Sequence, residues 1–313
     1  MSMEMKSKIG LLSFLVLVAM TPVTIFAAVN KPVEATSKIV TPIVVPKTII
    51  TRIDPAEIES AIGAKAYVVM DRTTGKILTE KQENLVWPIA STTKLMTAEI
   101  VLSKKSSLER MQTVLKEDDV GGAKLYVKSG DKFTMDDLFY AMLVGSANNA
   151  ANALARSSGL SRTAFVASMN ARAKELGLTQ TVYADPSGID TANVSTPLEL
   201  AKVANIVFAN EQVRKYTTTP VRTIVVANTG ATKKIQSTNW MLTKPAYRTA
   251  SVTAGKTGFL NESGWNFVTT LRPTKTDAKH ELLIVIFGAE SRAQSFEDAQ
   301  KLSDWSWKSY KWE

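Results

Sequence analysis

The stretch IASTTKLMTA, residues 89–98, places Ser91 three residues before Lys94. The residues that follow predict a helix beginning here, and residues i and i+3 lie on the same face of a helix. The Ser91 hydroxyl and the Lys94 amine are therefore expected to meet. The spacing alone is weak evidence, because Ser-x-x-Lys is expected about once by chance in a chain of this length. It occurs again at Ser129 and Lys132.

The composition excludes several kinds of catalytic site. The 313-residue chain has no cysteine, which removes disulfides, thiolate nucleophiles and cysteine-ligated metals. Its one histidine, His280, lies in a strand-like run, so a metal site with several histidines cannot form. A Ser-His-Asp triad would depend on that single residue. If the chain is a hydrolase, we expect a base other than histidine, and we expect no metal or other cofactor.

The N-terminus predicts export from the cytoplasm. Two lysines precede an apolar run, residues 9–29, near whose end lie the small residues Ala27 and Ala28. The run is also long enough to span a bilayer if it is not cleaved, with the lysines on the cytoplasmic side. We predict that residues 1–29 are a signal peptide or a signal anchor. The rest of the chain would then act in the periplasm or at the outer face of the cytoplasmic membrane, attached to the membrane through this apolar segment if the segment is retained as an anchor.

The net charge of +9 does not indicate a nucleic-acid partner. The lysines and arginines are scattered, no basic run is longer than two lysines, and they form no platform with interleaved aromatic residues. For an exported protein, an anionic cell envelope or a solvated basic surface explains the charge better.

The segment after the apolar run predicts a linker followed by a folded domain. Residues 30–52 are rich in Thr, Val and Pro, and the prolines exclude a helix, so we predict an extended linker. The stretch AKAYVVMDRTTGKILTE, residues 64–80, then predicts two strands around a Thr-Gly turn. We place one folded domain at residues 53–313.

Helices are predicted in the middle of the chain and strands at both ends. Helical patterns run from about residue 88 to 209, with Thr134 and Asp137 in capping-box spacing and Pro197 in a favourable first-turn position. Strand-like segments follow from about Val221, and a last helix is predicted at 292–310. The simplest fold is α/β (α+β), with a mostly antiparallel sheet built from the first hairpin and the late strands, flanked by helices with a helical subdomain.

A lysine next to a serine is useful as a base only when its amine is neutral. The ordinary pKa of lysine is about 10.4, and burial or a second nearby cation lowers it. Lys256, in the Lys-Thr-Gly tripeptide of AGKTGFLNESGW, is a candidate for that second cation. Gly258 would let a substrate backbone approach closely, and Lys256 with the Thr257 hydroxyl would suit a substrate carboxylate.

A third motif lies in LVGSANNAANAL, residues 143–154. Gly145 is predicted to interrupt a helix there and to turn Ser146 and Asn148 into a cleft. Ser-x-Asn also occurs twice elsewhere, so alone it is weak. The three motifs in the order Ser-x-x-Lys, Ser-x-Asn, Lys-Thr-Gly are strong evidence as a set.

With these motifs in this order, the chain resembles the low-molecular-mass penicillin-binding proteins, the D-alanyl-D-alanine carboxypeptidases and endopeptidases. The resemblance runs from about Lys65 to the end and includes ASTTKLMTA, YADPSGIDTANVSTPLELAKVAN and GKTGFLNESGWNFV. It implies a β-lactamase/transpeptidase-like fold. It also implies roles for the motif residues: Ser91 as acylated nucleophile, Lys94 as its base, Ser146 as a proton relay toward the leaving amine, Asn148 as an orienting residue, Lys256 and Thr257 as the carboxylate site, and Gly258 and Phe259 as further substrate-binding residues, with the backbone N–H groups of Ser91 and Phe259 as oxyanion hole.

The activity implied by the resemblance is D-Ala-D-Ala carboxypeptidase action on peptidoglycan stem peptides, through an acyl-enzyme at Ser91, with β-lactams as covalent inhibitors. Many such carboxypeptidases carry an additional β-rich domain that is not evident here, which leaves D,D-endopeptidase action on cross-links open. A β-lactamase is a third reading, for which Glu199 is the one tempting carboxylate beside a hydrolytic water. An envelope-binding module without activity is a fourth.

Overall fold

The computed structural model describes residues 48–247 and 251–313. Its strands are β1 (Ile50–Arg52), β2 (Ala66–Asp71), β3 (Ile77–Lys81), β4 (Trp87–Pro88), β5 (Met111–Thr113), β6 (Lys132–Thr134), β7 (Val194–Ser195), β8 (Val221–Val225), β9 (Thr232–Gln236), β10 (Ser251–Leu260), β11 (Gly264–Arg272), β12 (Leu282–Ala289) and β13 (Tyr310–Trp312). Its helices are α1 (Lys94–Ser103), α2 (Met135–Leu143), α3 (Asn148–Ser157), α4 (Arg162–Glu175), α5 (Pro197–Val207), α6 (Glu211–Thr217), α7 (Trp240–Thr243) and α8 (Arg292–Ser309).

A five-stranded antiparallel sheet with the order β10-β11-β12-β2-β3 forms the centre of the domain. Strands β2 and β12 pair with each other, and every residue of both is buried. Their sequences, AYVVMD and LLIVIFGA, are almost continuously apolar, as expected for strands covered on both faces. The predicted assembly of the first hairpin with late strands of the sequence is confirmed.

The two faces of this sheet pack against different helices. Side chains alternate between the faces of a strand, so Tyr67 and Val69 join the apolar cluster that contains Phe296 of α8. Their neighbour Val68 joins the larger cluster on the other face, which contains Leu95 of α1 and residues of α2 to α6. The predicted α/β fold, with a helical region packed on a mostly antiparallel sheet, is confirmed.

Two of the late strands do not belong to the central sheet, and that part of the prediction is wrong. In the described part of the chain, β8 and β9 pair with each other in a separate hairpin. One residue of each strand is buried, Ile224 in β8 and Ile235 in β9, and both belong to the cluster on the helical side. One anchoring residue per strand holds a hairpin on the helices, whereas a central strand needs apolar residues on both faces.

The helical middle of the chain is interrupted by two short strand pairs that the sequence does not predict. Strand β5 pairs with β6, and β4 pairs with β7, all antiparallel. Strands of two or three residues are too short to show an alternating pattern, so their sequences give no signal.

The predicted helix ends are largely confirmed. The Thr134 hydroxyl caps α2 by accepting the backbone N–H of Asp137 at 3.1 Å. Pro197 is the first residue of α5, where its missing N–H has no cost. The last helix covers Arg292–Ser309, within one residue of the predicted range.

The domain begins before residue 53. Strand β1 pairs antiparallel with β13 near the C-terminus, and the Ile50 side chain is buried. The last residues of the predicted 30–52 linker therefore belong to the folded domain. The predicted signal segment, residues 1–29, and residues 30–47 of the linker lie outside the described residues. None of the helices within residues 48–247 and 251–313 has both the length and the apolar character needed to cross a bilayer.

Candidate active site

Ser91 lies in a 3₁₀ turn, Ala90–Thr93, directly before α1. The α-helix therefore begins at Lys94 and not, as expected, at Ser91. Side chains at i and i+3 eclipse each other in 3₁₀ geometry, so the serine and the lysine still stack. Ala90 has a left-handed φ of 49°, which costs a residue other than glycine about 1–2 kcal/mol. Local strain of this kind is concentrated at functional sites.

The amine of Lys94 is fully buried at the centre of the site. Its Nζ lies 2.8 Å from Ser91 Oγ, 2.7 Å from Asn148 Oδ1 and 2.5 Å from the Ser187 carbonyl oxygen. A neutral amine has two N–H donors and one lone pair. Because the Asn148 and Ser187 oxygens are acceptors only, they take the two N–H groups. The lone pair is then left for the Ser91 hydroxyl.

Burial of the amine lowers the pKa of Lys94 to about 7, although the Asp185 carboxylate acts in the opposite direction. Transfer of an ammonium ion out of water disfavours its charged form. A base with a pKa near the working pH combines a useful neutral fraction with proton affinity. Lys94 is therefore able to accept a proton from Ser91 near neutral pH.

Ser146 and Asn148 lie where α2 ends and α3 begins, next to the Gly145 that predicted this interruption. Ser146 has a left-handed φ of 61°. Asn148, the first residue of α3, contacts Lys94 through Oδ1 and donates from Nδ2 to the Gly121 carbonyl at 2.8 Å. One side chain thus fixes both the amine and the loop that contains Gly121.

Strand β10 brings Lys256 to the same buried region. Its side chain is 1% exposed, and Nζ donates to Ser146 Oγ at 2.8 Å and to the Thr257 carbonyl oxygen at 2.8 Å. The Thr257 hydroxyl donates to the Thr238 hydroxyl at 2.7 Å. The second lysine expected from the sequence therefore lies next to the Ser-x-Asn motif.

Burial lowers the pKa of Lys256 well below its ordinary value, and the charges of Lys94 and Arg292 lower it further. Repulsion between two ammonium groups is mutual, so a proton on one lysine disfavours a proton on the other. An anion bound beside Lys256 would restore its charge. A charged Lys256 in turn favours the neutral form of Lys94, because the two ammonium groups repel each other.

Gly258 lets β10 pack directly against the turn that contains the nucleophile. A Cβ placed on Gly258 would lie 2.9 Å from the Ile89 carbonyl oxygen and 3.2 Å from the Ser91 backbone nitrogen. The next residue, Phe259, is 45% exposed, and its ring stacks on Trp265 with centroids 4.4 Å apart. Close backbone approach at this point is what a glycine in a strand permits.

An open cleft of 430 Å³ covers these groups. Ser91 and Ser146 line it, Thr257 and Phe259 belong to one wall, and Gly122 belongs to another. This size is within the range of small-molecule and peptide sites. The structure therefore brings all eight residues of the predicted site to one cleft or to its buried floor.

The other titratable candidates lie away from this cleft. His280 Nδ1 is 2.8 Å from Asp277 Oδ2. Glu199 accepts the Thr179 N–H at 2.8 Å and the Thr181 hydroxyl at 2.6 Å, so its carboxylate anchors a loop. Among residues 48–247 and 251–313, no group of three or more His, Asp or Glu side chains is arranged to hold a metal ion.

Asp185 is a further site residue, which lies outside the three sequence motifs. One of its oxygens accepts the Ser187 N–H at 2.6 Å, the Ser187 hydroxyl at 2.6 Å and the Gly188 N–H at 2.9 Å. The other accepts from Asp190 N–H and from Asn193. The carboxylate thereby holds the carbonyl of Ser187 against Lys94. The pattern Asp-Pro-Ser-Gly is a turn signal that could have suggested this function.

We expect Asp185→Asn to lower the free energy of unfolding by about 3 kcal/mol, because an amide places N–H groups against donors. Acylation should also slow, as Ser187 loses its fixed position. Burial disfavours the Asp185 carboxylate, but these hydrogen bonds still hold its pKa below the usual value. Its stabilisation is therefore present above about pH 4 and lost as pH falls through the folded-state pKa.

Urea unfolding at pH 7 and at pH 3 measures both effects of this substitution. The exposed neighbour Asp190 provides a control, since Asp190→Asn should change stability by less than about 0.5 kcal/mol. Equal unfolding free energies for the two variants would contradict the role given to Asp185.

The fold and the cleft together define a class of enzyme. A serine hydroxyl in contact with a buried lysine of lowered pKa, without a histidine, is the arrangement of an acyl-transfer enzyme of the Ser–Lys type. The family model described as D-alanyl-D-alanine carboxypeptidase matches residues 51–291. The chain belongs to this family and is a serine peptidase.

Named relatives and solved structures agree with this assignment. The chain is 31% identical over 252 residues to the D-alanyl-D-alanine endopeptidase of Pseudomonas aeruginosa. The aligned residues cover 79% of this chain and 78% of the relative. The crystal structure of the Streptomyces K15 DD-transpeptidase is similar with a TM-score of 0.71 and 28% identity, over 79% of this chain and 98% of that one. Penicillin-binding protein D2 from Listeria monocytogenes, in an ampicillin-bound form, has a TM-score of 0.68 and 28% identity, over the same shares.

Proposed function

We propose that Ser91 is the nucleophile of a D-Ala-D-Ala peptidase that acts on peptidoglycan stem peptides. The observation that carries this proposal is the 2.8 Å contact between Ser91 Oγ and the buried Nζ of Lys94, whose pKa is lowered to about 7. The neutral amine takes the serine proton as Oγ forms a bond to the carbonyl carbon of the penultimate D-alanine. The backbone N–H groups of Ser91 and Phe259 stabilise the oxyanion.

Collapse of the tetrahedral intermediate breaks the C–N bond and releases the leaving amine. That amine requires the proton that Lys94 accepted, and Ser146 passes it on, supported by the hydrogen bond that Ser146 accepts from Lys256. The substrate carboxylate binds to Lys256 and the Thr257 hydroxyl, and its charge favours protonated Lys256. Water then hydrolyses the ester on Ser91, and its proton restores the serine hydroxyl.

The leaving amine decides between two activities. If it is the terminal D-alanine, the enzyme is a carboxypeptidase, which is the description of the family. If it is the side-chain amine of a cross-linked stem peptide, the enzyme is an endopeptidase. The second candidate is favoured by the relative from Pseudomonas aeruginosa, which carries the name endopeptidase.

Purified muropeptides distinguish these activities. Monomeric pentapeptide and cross-linked dimer are incubated separately with residues 48–313, and the products are identified by mass spectrometry. Loss of one D-alanine from the monomer supports the carboxypeptidase, and conversion of the dimer to monomers supports the endopeptidase. Absence of both products, with intact folding, would overturn the proposal and favour a binding module.

The β-lactamase alternative differs in deacylation, which must be fast and which in one class of β-lactamase is assisted by a Glu carboxylate beside the hydrolytic water. Glu199 is engaged with Thr179 and Thr181 and does not line the cleft. We therefore expect penicillin to form a long-lived ester on Ser91. A turnover assay measures this directly, and rapid multiple-turnover hydrolysis of penicillin would favour the β-lactamase.

The place of action proposed for this enzyme is the cell envelope, because peptidoglycan lies outside the cytoplasmic membrane. The lysines and apolar run of residues 1–29 support export, with either cleavage or retention as an anchor. Fractionation of cells that express the full chain tests this. Recovery in the periplasm or in the membrane fraction agrees with export, and recovery in the cytoplasm contradicts it.

A further inference from the structure

A second binding region is centred on Tyr126, beside the catalytic cleft. The Tyr126 side chain is 77% exposed, the most exposed of the large apolar or aromatic side chains in the described part of the chain. It lines two cavities, one of 530 Å³ that also contacts β8–β9 residues and one of 280 Å³ that reaches Ala147. An aromatic ring flanked by grooves on both sides is suited to an extended ligand.

The loop that presents Tyr126 is held in place by side chains. Asn149, on α3, accepts the Leu125 N–H at 3.0 Å and donates to the Leu125 carbonyl at 2.8 Å. Asp131 accepts the Lys128 N–H at 2.9 Å. Because the residues on both sides of Tyr126 are fixed, exposure of its ring is a feature of an ordered loop.

The grooves beside Tyr126 are basic. Lys128 lines the larger one, Lys234 lines the smaller one and Lys233 lines both. None of the three takes part in an ion pair among the residues that the structure describes. Lys124 is paired with Asp119 at 2.8 Å, and the remaining lining carboxylate, Asp131, is bound to backbone. We call Tyr126, Lys128, Lys233 and Lys234 the basic platform.

The basic platform is continuous with the catalytic cleft along two chain segments. Gly122 and Ala123 line the cleft, and the next residue, Lys124, lines both cavities beside Tyr126. Likewise Ser146 lines the cleft and Ala147 lines the smaller cavity. A polymer bound with one peptide bond at Ser91 therefore has a path onto the platform.

We propose that the basic platform binds the glycan–peptide strand that carries the scissile stem peptide, an inference that rests on the proposed function. A sugar ring stacks on Tyr126, and carboxylates of the same or neighbouring stem peptides pair with Lys128, Lys233 and Lys234. Aromatic faces and unpaired lysines match the alternating apolar sugar faces and anionic peptides of this polymer. The site thus selects polymeric over short substrates.

Two substrates separate this inference from the catalytic proposal. One is soluble polymeric peptidoglycan with intact stem peptides, and the other is a short diacylated Lys-D-Ala-D-Ala peptide that does not extend beyond the cleft. For the double variant Tyr126→Ala/Lys233→Ala, we expect the half-saturating polymer concentration to rise about tenfold, whereas kcat/KM for the tripeptide changes by less than twofold. The polymer effect should shrink with added salt, which screens exposed charges.

Two further proteins serve as controls for this experiment. Tyr126→Phe keeps the ring and should retain wild-type behaviour, and Lys202→Ala/Lys215→Ala removes two exposed charges on α5 and α6 that line neither the cleft nor the two cavities beside Tyr126. Equal losses on both substrates, or no loss on the polymer, would overturn the inference. An equal polymer effect in the Lys202/Lys215 variant would overturn it too, because charge alone would explain binding. If the wild type cleaves neither substrate, the catalytic proposal itself has failed.

Discussion

Replacement of Ser91 by alanine should abolish covalent labelling by penicillin and lower cleavage of D-Ala-D-Ala by about 10⁵-fold or more. Loss of the nucleophile in a serine peptidase has effects of this size, because hydrogen bonds and binding alone leave only weak residual catalysis. The hydroxyl is replaced by hydrogen at a partly exposed position beside Lys94. Folding should therefore be preserved, and near-wild-type thermal unfolding provides the check.

The second Ser-x-x-Lys pattern supplies a matched control for this experiment. Ser129 and Lys132 are both exposed and do not line the cleft. Ser129→Ala should retain full labelling with fluorescent penicillin. Covalent labelling of a Ser91→Ala protein at any other serine would contradict the assignment of the nucleophile.

Replacement of Lys94 by methionine should lower the rate of acylation by about 10²–10⁴-fold, the range expected when a positioned base is removed. Methionine fills a similar volume but cannot accept the Ser91 proton. It also leaves Asn148 Oδ1 and the Ser187 carbonyl without the donors they contact in the native protein. Single-turnover acylation by penicillin measures the effect on the chemical step alone.

Lys132→Met is the corresponding control and should acylate at the wild-type rate. The acylation rates are compared at a temperature well below the unfolding transition of each protein, so that lost stability does not contribute. A Lys94→Met protein that retained more than about one tenth of the wild-type acylation rate would contradict the role of Lys94 as base.

Much of the fold could be predicted because its signals are local and strong. The apolar runs of β2 and β12 are long enough to indicate buried strands, and Pro197 and Thr134 mark helix starts through their own backbone chemistry. The motif residues are also recognisable, because the motifs that contain Ser91, Lys94 and Lys256 rarely occur together in one chain. Each of these features depends on a few neighbouring residues and can therefore be detected in a single sequence.

The remaining features depend on contacts between distant segments. The partner of β1 is β13 at the other end of the chain, and no pattern within either strand identifies it. The separate β8–β9 hairpin reflects burial of one residue per strand, which composition does not reveal. The 3₁₀ turn before α1 arises where Gly188 and Gly258 approach the backbone of Ala90 and Ile89.

The same limit explains why Asp185 was missed as a site residue. Its five hydrogen bonds fix a loop whose Ser187 carbonyl then contacts Lys94, 93 residues away along the chain. Ala90 and Ser146 likewise have left-handed conformations, which residues other than glycine keep only where the surrounding structure holds them. A single sequence identifies the reactive groups more readily than the groups that hold them.

The pH dependence of acylation tests most directly whether a neutral Lys94 activates Ser91. The second-order rate of penicillin acylation is measured from pH 5 to pH 10 on wild-type protein, with stability followed in parallel. Because the base works only without its proton, and burial lowers its pKa to about 7, the rate should rise about tenfold per pH unit below 7 and level off above it. A rate that is constant across this range, or that rises only near pH 10 like an ordinary lysine, would contradict the account.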